Sequence, residues 1–92
     1  MSIIKKEYLA NLKVGDKVKR GMHGAGFITD GEDAEVVHTD ENTIWLDEVM
    51  EEESDYKRDS FYAYDRRTGR QVEIMFGMFK SIELPDWEAP NK

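Results

Sequence analysis

The alternation of apolar and polar positions divides the chain into short segments of changing period. In "SIIKKEYLANLKVGD", Ile4, Tyr8, Leu9 and Leu12 recur at helical spacing behind Ser2, a residue type that caps helix N-termini. This predicts a short amphipathic helix ahead of Gly15. The period then changes, with Leu12, Val14 and Val18 flanking a Gly15-Asp16 turn from which a first strand leaves. Glycines 21, 24 and 26 are too dense for regular structure, so "GMHGAG" is expected to be a loop, followed by a brief strand at "GFIT" and a turn at "DGED". Two β-rich runs, "AEVVHT" and "TIWLD", are separated by Asp40, Glu41 and Asn42, whose short polar side chains suit a hairpin loop.

Between Asp47 and Ser60 no apolar stripe is sustained, and a solvated loop with at most one helical turn is expected. "SFYAYD" and "RQVEIMF" flank "RRTG", where a type I turn closing on Gly69 in the left-handed region would join two antiparallel strands. "GMFKSIELPDW" reads as a tight turn and a short closing strand ended by Pro85, which has no N–H to donate. Together these elements predict a mainly β fold: about five to seven short antiparallel strands with one N-terminal helix, curled into a small barrel because closure removes exposed edges. The expected core comprises Val14, Val18, Phe27, Ile28, Val36, Ile44, Leu46, Phe61, Ala63, Val72, Ile74 and Ile82.

Length limits the chain to a single domain over residues 1–92, one that buries only somewhat more than about 60% of its unfolded surface. The chain has no cysteine, so neither a disulfide framework nor a thiolate metal site can supplement the small core, and a reducing cytoplasm suits it. It contains no basic leader with an apolar run and no apolar stretch of about 18 residues, so no membrane span is expected.

Charge changes the picture more than composition does. The net charge is −7, but residues 1–20 carry six basic against two acidic groups, whereas residues 21–56 hold twelve acidic groups and no lysine or arginine. Residues 57–70 are basic again, with Lys57, Arg58, Arg66, Arg67 and Arg70 against Asp59 and Asp65. Crowded like charge costs stability, which a domain of this size has little of to spare. Either the basic segments fold back over the acidic one, or the acidic face meets a basic partner.

The stretches "LKVGDKVKR", "GAGFI" and "AEVVHTDENTIWLDE" resemble the opening of Tudor- and KOW-type small barrels of the Src-homology-3-like architecture. In those a Gly-Asp turn feeds a strand, then come a glycine loop and a hairpin. The resemblance covers about half the chain and implies a fold. It departs from nucleic-acid-binding KOW modules, whose loops are basic where this chain has Asp30, Glu32, Asp33 and Glu35.

Catalytic and metal motifs are not indicated. His23 and His38 lack the spacing of a structural zinc site, and "DGEDAE" lacks the calcium-loop frame with its fixed glycine and terminal glutamate. The glycines of "GMHGAGFITDG" fit neither the dinucleotide fingerprint nor the P-loop, and no serine sits beside a recognisable base. No cofactor and no enzymatic activity are expected. The expected role is an interaction module or small regulator, of the kind a phage encodes against a nucleic-acid enzyme, that docks an acidic face on a basic protein surface. Its charged contacts would be Asp30, Glu32, Asp33 and Glu35, with Glu51, Glu52, Glu53 and Asp55 from the later loop, and its anchors Tyr56, Phe79 and Trp87. The alternative is a KOW-like nucleic-acid binder using Lys17, Lys19, Arg20, Lys57, Arg58, Arg66, Arg67 and Arg70, which the acidic strip disfavours.

Overall fold

The structure, a computed structural model, describes residues 4–24, 26–58, 60–74 and 77–87; the side chains at 27, 30 and 31 lie outside the described set. The N-terminal helix forms where the spacing puts it, as α1 (Lys5–Ala10). Its N-cap is Ile4, with no side-chain cap, which corrects the expectation for Ser2, a residue outside the described set. The other end is better satisfied. Asn11 Nδ2 donates to Glu7 O at 2.8 Å, and Arg66 Nη1 donates to Leu9 O at 3.2 Å and Ala10 O at 3.0 Å. A guanidinium there also offsets the negative end of the helix dipole. Leu9 and Leu12 are buried while Ile4 is exposed.

The Gly15-Asp16 turn is real: Gly15 takes φ +97°, and Asp16 Oδ2 accepts from Lys13 N–H at 2.9 Å. From it leaves β1 (Lys17–Gly24), followed by β2 (Phe27–Thr39), β3 (Thr43–Leu46), β4 (Ala63–Asp65) and β5 (Phe79–Glu83). These strands form one antiparallel sheet in the order β4-β3-β2-β1-β5. The fold is therefore mainly β, with α1 and the short α2 (Glu53–Arg58) as its helices among the described residues. None of the helices described is long and apolar enough to cross a membrane.

Two expectations from the glycine-rich region are corrected. "GMHGAG" is not a loop, because β1 continues through Gly24 before the chain turns. Gly21 serves close approach instead of flexibility, since a Cβ there would stand 2.6 Å from Trp87 Cη2. "DGED" is not a turn either. Lys19 pairs with Asp33 and Gly21 with Asp30, so Arg20 alone faces two residues of β2, a bulge that absorbs one residue without reversing the chain. A second slip lies between Val36 and His38. The two irregularities let one 13-residue strand bend and serve both halves of the sheet.

The first predicted hairpin is present between β2 and β3. Asp40 Oδ1 accepts from the N–H groups of Asn42 and Thr43, both at 2.8 Å, and so holds the loop from within. The turn after β4 is also as expected, with Gly69 at φ +79° donating to Asp65 O at 2.7 Å. The strand expected beyond it is not. Residues 70 and 71 make only isolated bridges, to Ser81 and Tyr64 respectively. The segment 69–72 nevertheless bonds to both outer strands: Val72 N–H to Ala63 O, Gln71 N–H to Lys80 O and Ile82 N–H to Gly69 O, at 2.7–2.8 Å. The strand ladders make an open sheet, and among the described residues the backbone hydrogen bonds that link its outer strands pass through this stretch.

The main core packs Leu9 and Leu12 against Val18, Ala34, Val36, Ile44, Leu46, Tyr64 and Ile82. A second cluster of Trp45, Tyr56 and Ala63 holds α2, with Val37 and Met50 against it. Each large side chain removed from water contributes about 1.5–3 kcal/mol. Of the expected core, Val14, Phe61, Val72 and Ile74 are exposed, and Ile28 is only partly buried. Val14 lies before β1 begins, so strand parity does not govern it. Val72 and Ile74 lose their inward alternation because no regular strand forms there. The side chain of Phe27 is outside the described set.

Candidate interaction face

Residues paired across antiparallel strands share a face, and alternation then extends that face along each strand. Val18 and Ile82 belong to the core, so Lys17, Lys19, Gly21 and His23 of β1 point outward together with Phe79, Ser81 and Glu83 of β5. On β2, Glu35 pairs with Lys17 and Asp33 with Lys19, on the same outward face. Position 30 pairs with Gly21.

At the far end of this face three rings meet. The His23 imidazole stacks on Phe79 with centroids 5.1 Å apart and planes 5° from parallel, and the Trp87 ring lies tilted to it at 6.1 Å. The Arg70 guanidinium stands over Phe79 at 5.3 Å from the ring centre. His23 Nε2 is 3.1 Å from Glu83 Oε1, and Lys5 Nζ donates to Glu83 Oε2 at 3.2 Å. The largely buried Glu83 carboxylate thus ties α1 to the outer face of β1.

The structure brings two of the three expected anchors together, Phe79 and Trp87, through His23. The third is corrected. Tyr56 is 6% exposed, stacked on His38 at 4.2 Å and edge-on to Trp45, with its hydroxyl accepting from Met50 N–H at 2.9 Å. It anchors α2 to the sheet and has no surface to offer a partner.

The acidic residues fall into two groups. Glu32, Asp33 and Glu35 are exposed on β2, and Asp33 and Glu35 line an open depression of about 350 Å³ with Lys17, Ala34 and Asp47. The side chain of Asp30 lies outside the described set. Glu51, Glu52 and Glu53 are exposed at the start of the α2 segment, while Asp55 pairs with Arg58 at 2.6 Å. In α2 the acidic residues occupy the first turn and Lys57 and Arg58 the last, an order that the helix dipole favours.

The basic residues of the nucleic-acid alternative are dispersed and largely engaged. Arg20 is 5% exposed, which corrects its assignment as a surface contact. Its guanidinium is ion-paired to Asp47, lies 3.8 Å from Glu32 and donates to the Tyr64 hydroxyl at 3.4 Å. Burial alone would lower its pKa, but the hydrogen bonds and charge of Asp47 and Tyr64 outweigh that and raise it. Burial likewise raises the pKa of Tyr64, with Arg20 opposing. Arg66 caps α1, Arg67 is 3.6 Å from Asp65, and Lys17 and Lys19 stand opposite Glu35 and Asp33. The N-terminal basic run therefore does fold beside part of the acidic strip, whereas Glu51, Glu52 and Glu53 make no ion pair among the described residues. Among the described residues no group of three or more metal-ligating side chains converges.

Arg20 and Tyr64 were missed as a unit because their partner, Asp47, is distant in sequence. Strand parity held the clue: Arg20 is two residues from Val18 and must face the same way. No family model matches this chain, and comparison with curated proteins and with solved structures gives no match either.

Proposed function

We propose that this protein is a non-enzymatic interaction module, a small regulator of Src-homology-3-like, Tudor- or KOW-type build, that docks the outer face of β2-β1-β5 on a basic protein surface. The observation that carries the reading is one of juxtaposition: the exposed carboxylates Asp33 and Glu35 share a face with the partly exposed Phe79, His23 and Trp87. Such a face supplies both terms that association requires. Exposed carboxylates steer encounter and set salt sensitivity, while desolvation of aromatic surface carries affinity. The strand order, with one long bent β2 shared between two half-sheets, supports the Src-homology-3-like part of the proposal. The absence of cysteine is compatible with action in the cytoplasm. Nucleic acid is the weaker candidate because its proposed contacts are scattered and Arg20 is buried.

The test is affinity capture from native lysate, with and without nuclease, using the unaltered chain and two neutralised variants. One replaces Glu32, Asp33 and Glu35 by their amides, the other Glu51, Glu52 and Glu53. Capture of a basic protein should survive nuclease and weaken in the first variant while its thermal stability is unchanged. Lost stability with retained capture would mean that the strip is internal structure and that the reading is wrong. Labelled oligonucleotides should bind no tighter than about the micromolar range at physiological salt.

A further inference from the structure

Among the described residues, one edge of the sheet is left open beside the acidic residues. β3 runs along β2 only from Thr39 to Val36, and the last bond between them is from Asp47 N–H to Glu35 O at 3.2 Å. There the chain turns away sharply. Asp47 takes φ +74°, and Glu48 N–H donates to Leu46 O at 2.9 Å across it, the geometry of a γ-turn. Upstream, β2 continues for a further stretch paired with β1 on one side only, and no hydrogen bond joins its other side to any described residue.

Alternation identifies the main-chain groups on that open side. Val36 turns both its N–H and its carbonyl to the β1 side, where they meet Asp16 and Gly15 at 2.8 Å. Ala34 therefore faces β1 and Asp33 faces away. Beyond the bulge, β5 bonds outward through Lys80 and Ile82, so Lys19, Gly21 and His23 of β1 are bonded to β5 and Met22 to β2. Met22 pairs with Thr29, which leaves the amides of Ile28 and Asp30 on the open side with that of Asp33.

We infer that this open edge of β2, over residues 28–33, accepts an extended Lys/Arg-bearing segment of a partner as an added strand. The inference rests on the reading of the acidic face above and names how that face is engaged. Main-chain hydrogen bonds from such a segment would satisfy the unpaired groups, and its basic side chains would lie beside Glu32 and Asp33. The same charges reject the commonest wrong occupant. A second copy of this chain pairing at this edge would set acidic runs side by side, which is destabilising. An acidic edge thus resists self-association while remaining open to a strand of opposite charge.

The test uses the full chain and three nine-residue peptides: alternating Lys and Val, the same peptide with every internal amide N-methylated, and alternating Glu and Val. The first should bind, the second at least about tenfold more weakly because it keeps its charge but has lost its main-chain donors, and the third not at all. Saturation with the first peptide should slow hydrogen exchange at the amides of Ile28, Asp30 and Asp33 at least about tenfold. Equal binding of the two basic peptides, without slowed exchange, overturns strand addition. If that binding also disappears on neutralising Asp33 and Glu35, the acidic-face reading survives. Binding of the Glu peptide as tightly as the Lys peptide refutes the basic occupant. Binding by neither basic peptide overturns strand addition and leaves the acidic-face reading to the capture experiment.

Discussion

Arg20 of β1 reaches Asp47, just beyond β3, and forms an ion pair with it beneath the Tyr64 hydroxyl. The two partners are unequally buried, with side chains 5% and 34% exposed, so their removal has unequal consequences. Breaking a buried pair is costly chiefly when a charge is stranded away from water, by about 3–5 kcal/mol in full burial. Asp47→Asn strands the guanidinium, although Glu32 and nearby solvent reduce the penalty to about 2 kcal/mol. Arg20→Met strands only a carboxylate that can rehydrate, and should cost less. Guanidinium unfolding of both variants checks the order, and a larger loss for Arg20→Met would reject this account.

Alkaline pH should destabilise the fold. Burial raises the pKa of both Tyr64 and Tyr8, the latter with a contribution from Asp16, so the folded state holds these phenol protons more tightly than the unfolded chain does. The resulting stability is complete below the ordinary tyrosine value of about 10 and declines as pH rises above it. Arg20, also raised, acts in the same direction at still higher pH. Urea midpoints measured from pH 8 to 11 should fall only at the upper end, and Tyr64→Phe should flatten the fall. A midpoint that rises with pH would contradict it.

Tyr56→Ala should cost about 3 kcal/mol and release α2, since the ring fills the cluster with Trp45 and Ala63 and its hydroxyl holds Met50. Tyr56→Phe keeps the ring and should cost about 1 kcal/mol. Calorimetry gives the magnitudes. Amide exchange at residues 53–58 shows whether the helix has come loose, which the alanine variant alone should do.

Gly21→Ala places a methyl group where the Trp87 ring now lies. The atoms in the way are the far edge of the indole, while the Trp87 N–H is held to Leu84 O at 3.0 Å, so relief comes from rotation of the side chain. The loss should be modest, about 1 kcal/mol, accompanied by a red shift in tryptophan emission as the indole enters water. Unchanged emission would show that the ring does not rest on this glycine.

Much of the fold was legible because it is written locally. Asp40 reaching its own loop amides, Gly69 at positive φ and the Gly15-Asp16 turn each depend on neighbours within a few residues, and the sequence pattern finds them. The glycines misled for a physical reason: Gly21 is required by a tryptophan far along the chain, and "DGED" falls at a bulge inside β2, neither of which local composition distinguishes from a loop. The site was legible only in part. Phe79 and Trp87 were recognisable as large apolar anchors, but their meeting at His23 depends on the pairing of β1 with β5. Tyr56 resembled an exposed anchor because its acidic neighbours hid the inward side of a six-residue helix.

The position of β1 sets an order of assembly. One neighbour, β2, follows it directly, whereas the other, β5, brings together residues such as His23 and Glu83 that are 60 apart in sequence. Loop-closure entropy favours the hairpin first and the distant strand last. A transient intermediate therefore has β1 half-paired, with the backbone of Lys19, Gly21 and His23 exposed until β5 arrives. During that interval the polypeptide is most open to annealing with other nascent chains, and the slow kinetic phase of refolding should report β5 docking. Pulse-labelled exchange would place late protection at residues 79–83, after the β1–β2 amides are already closed.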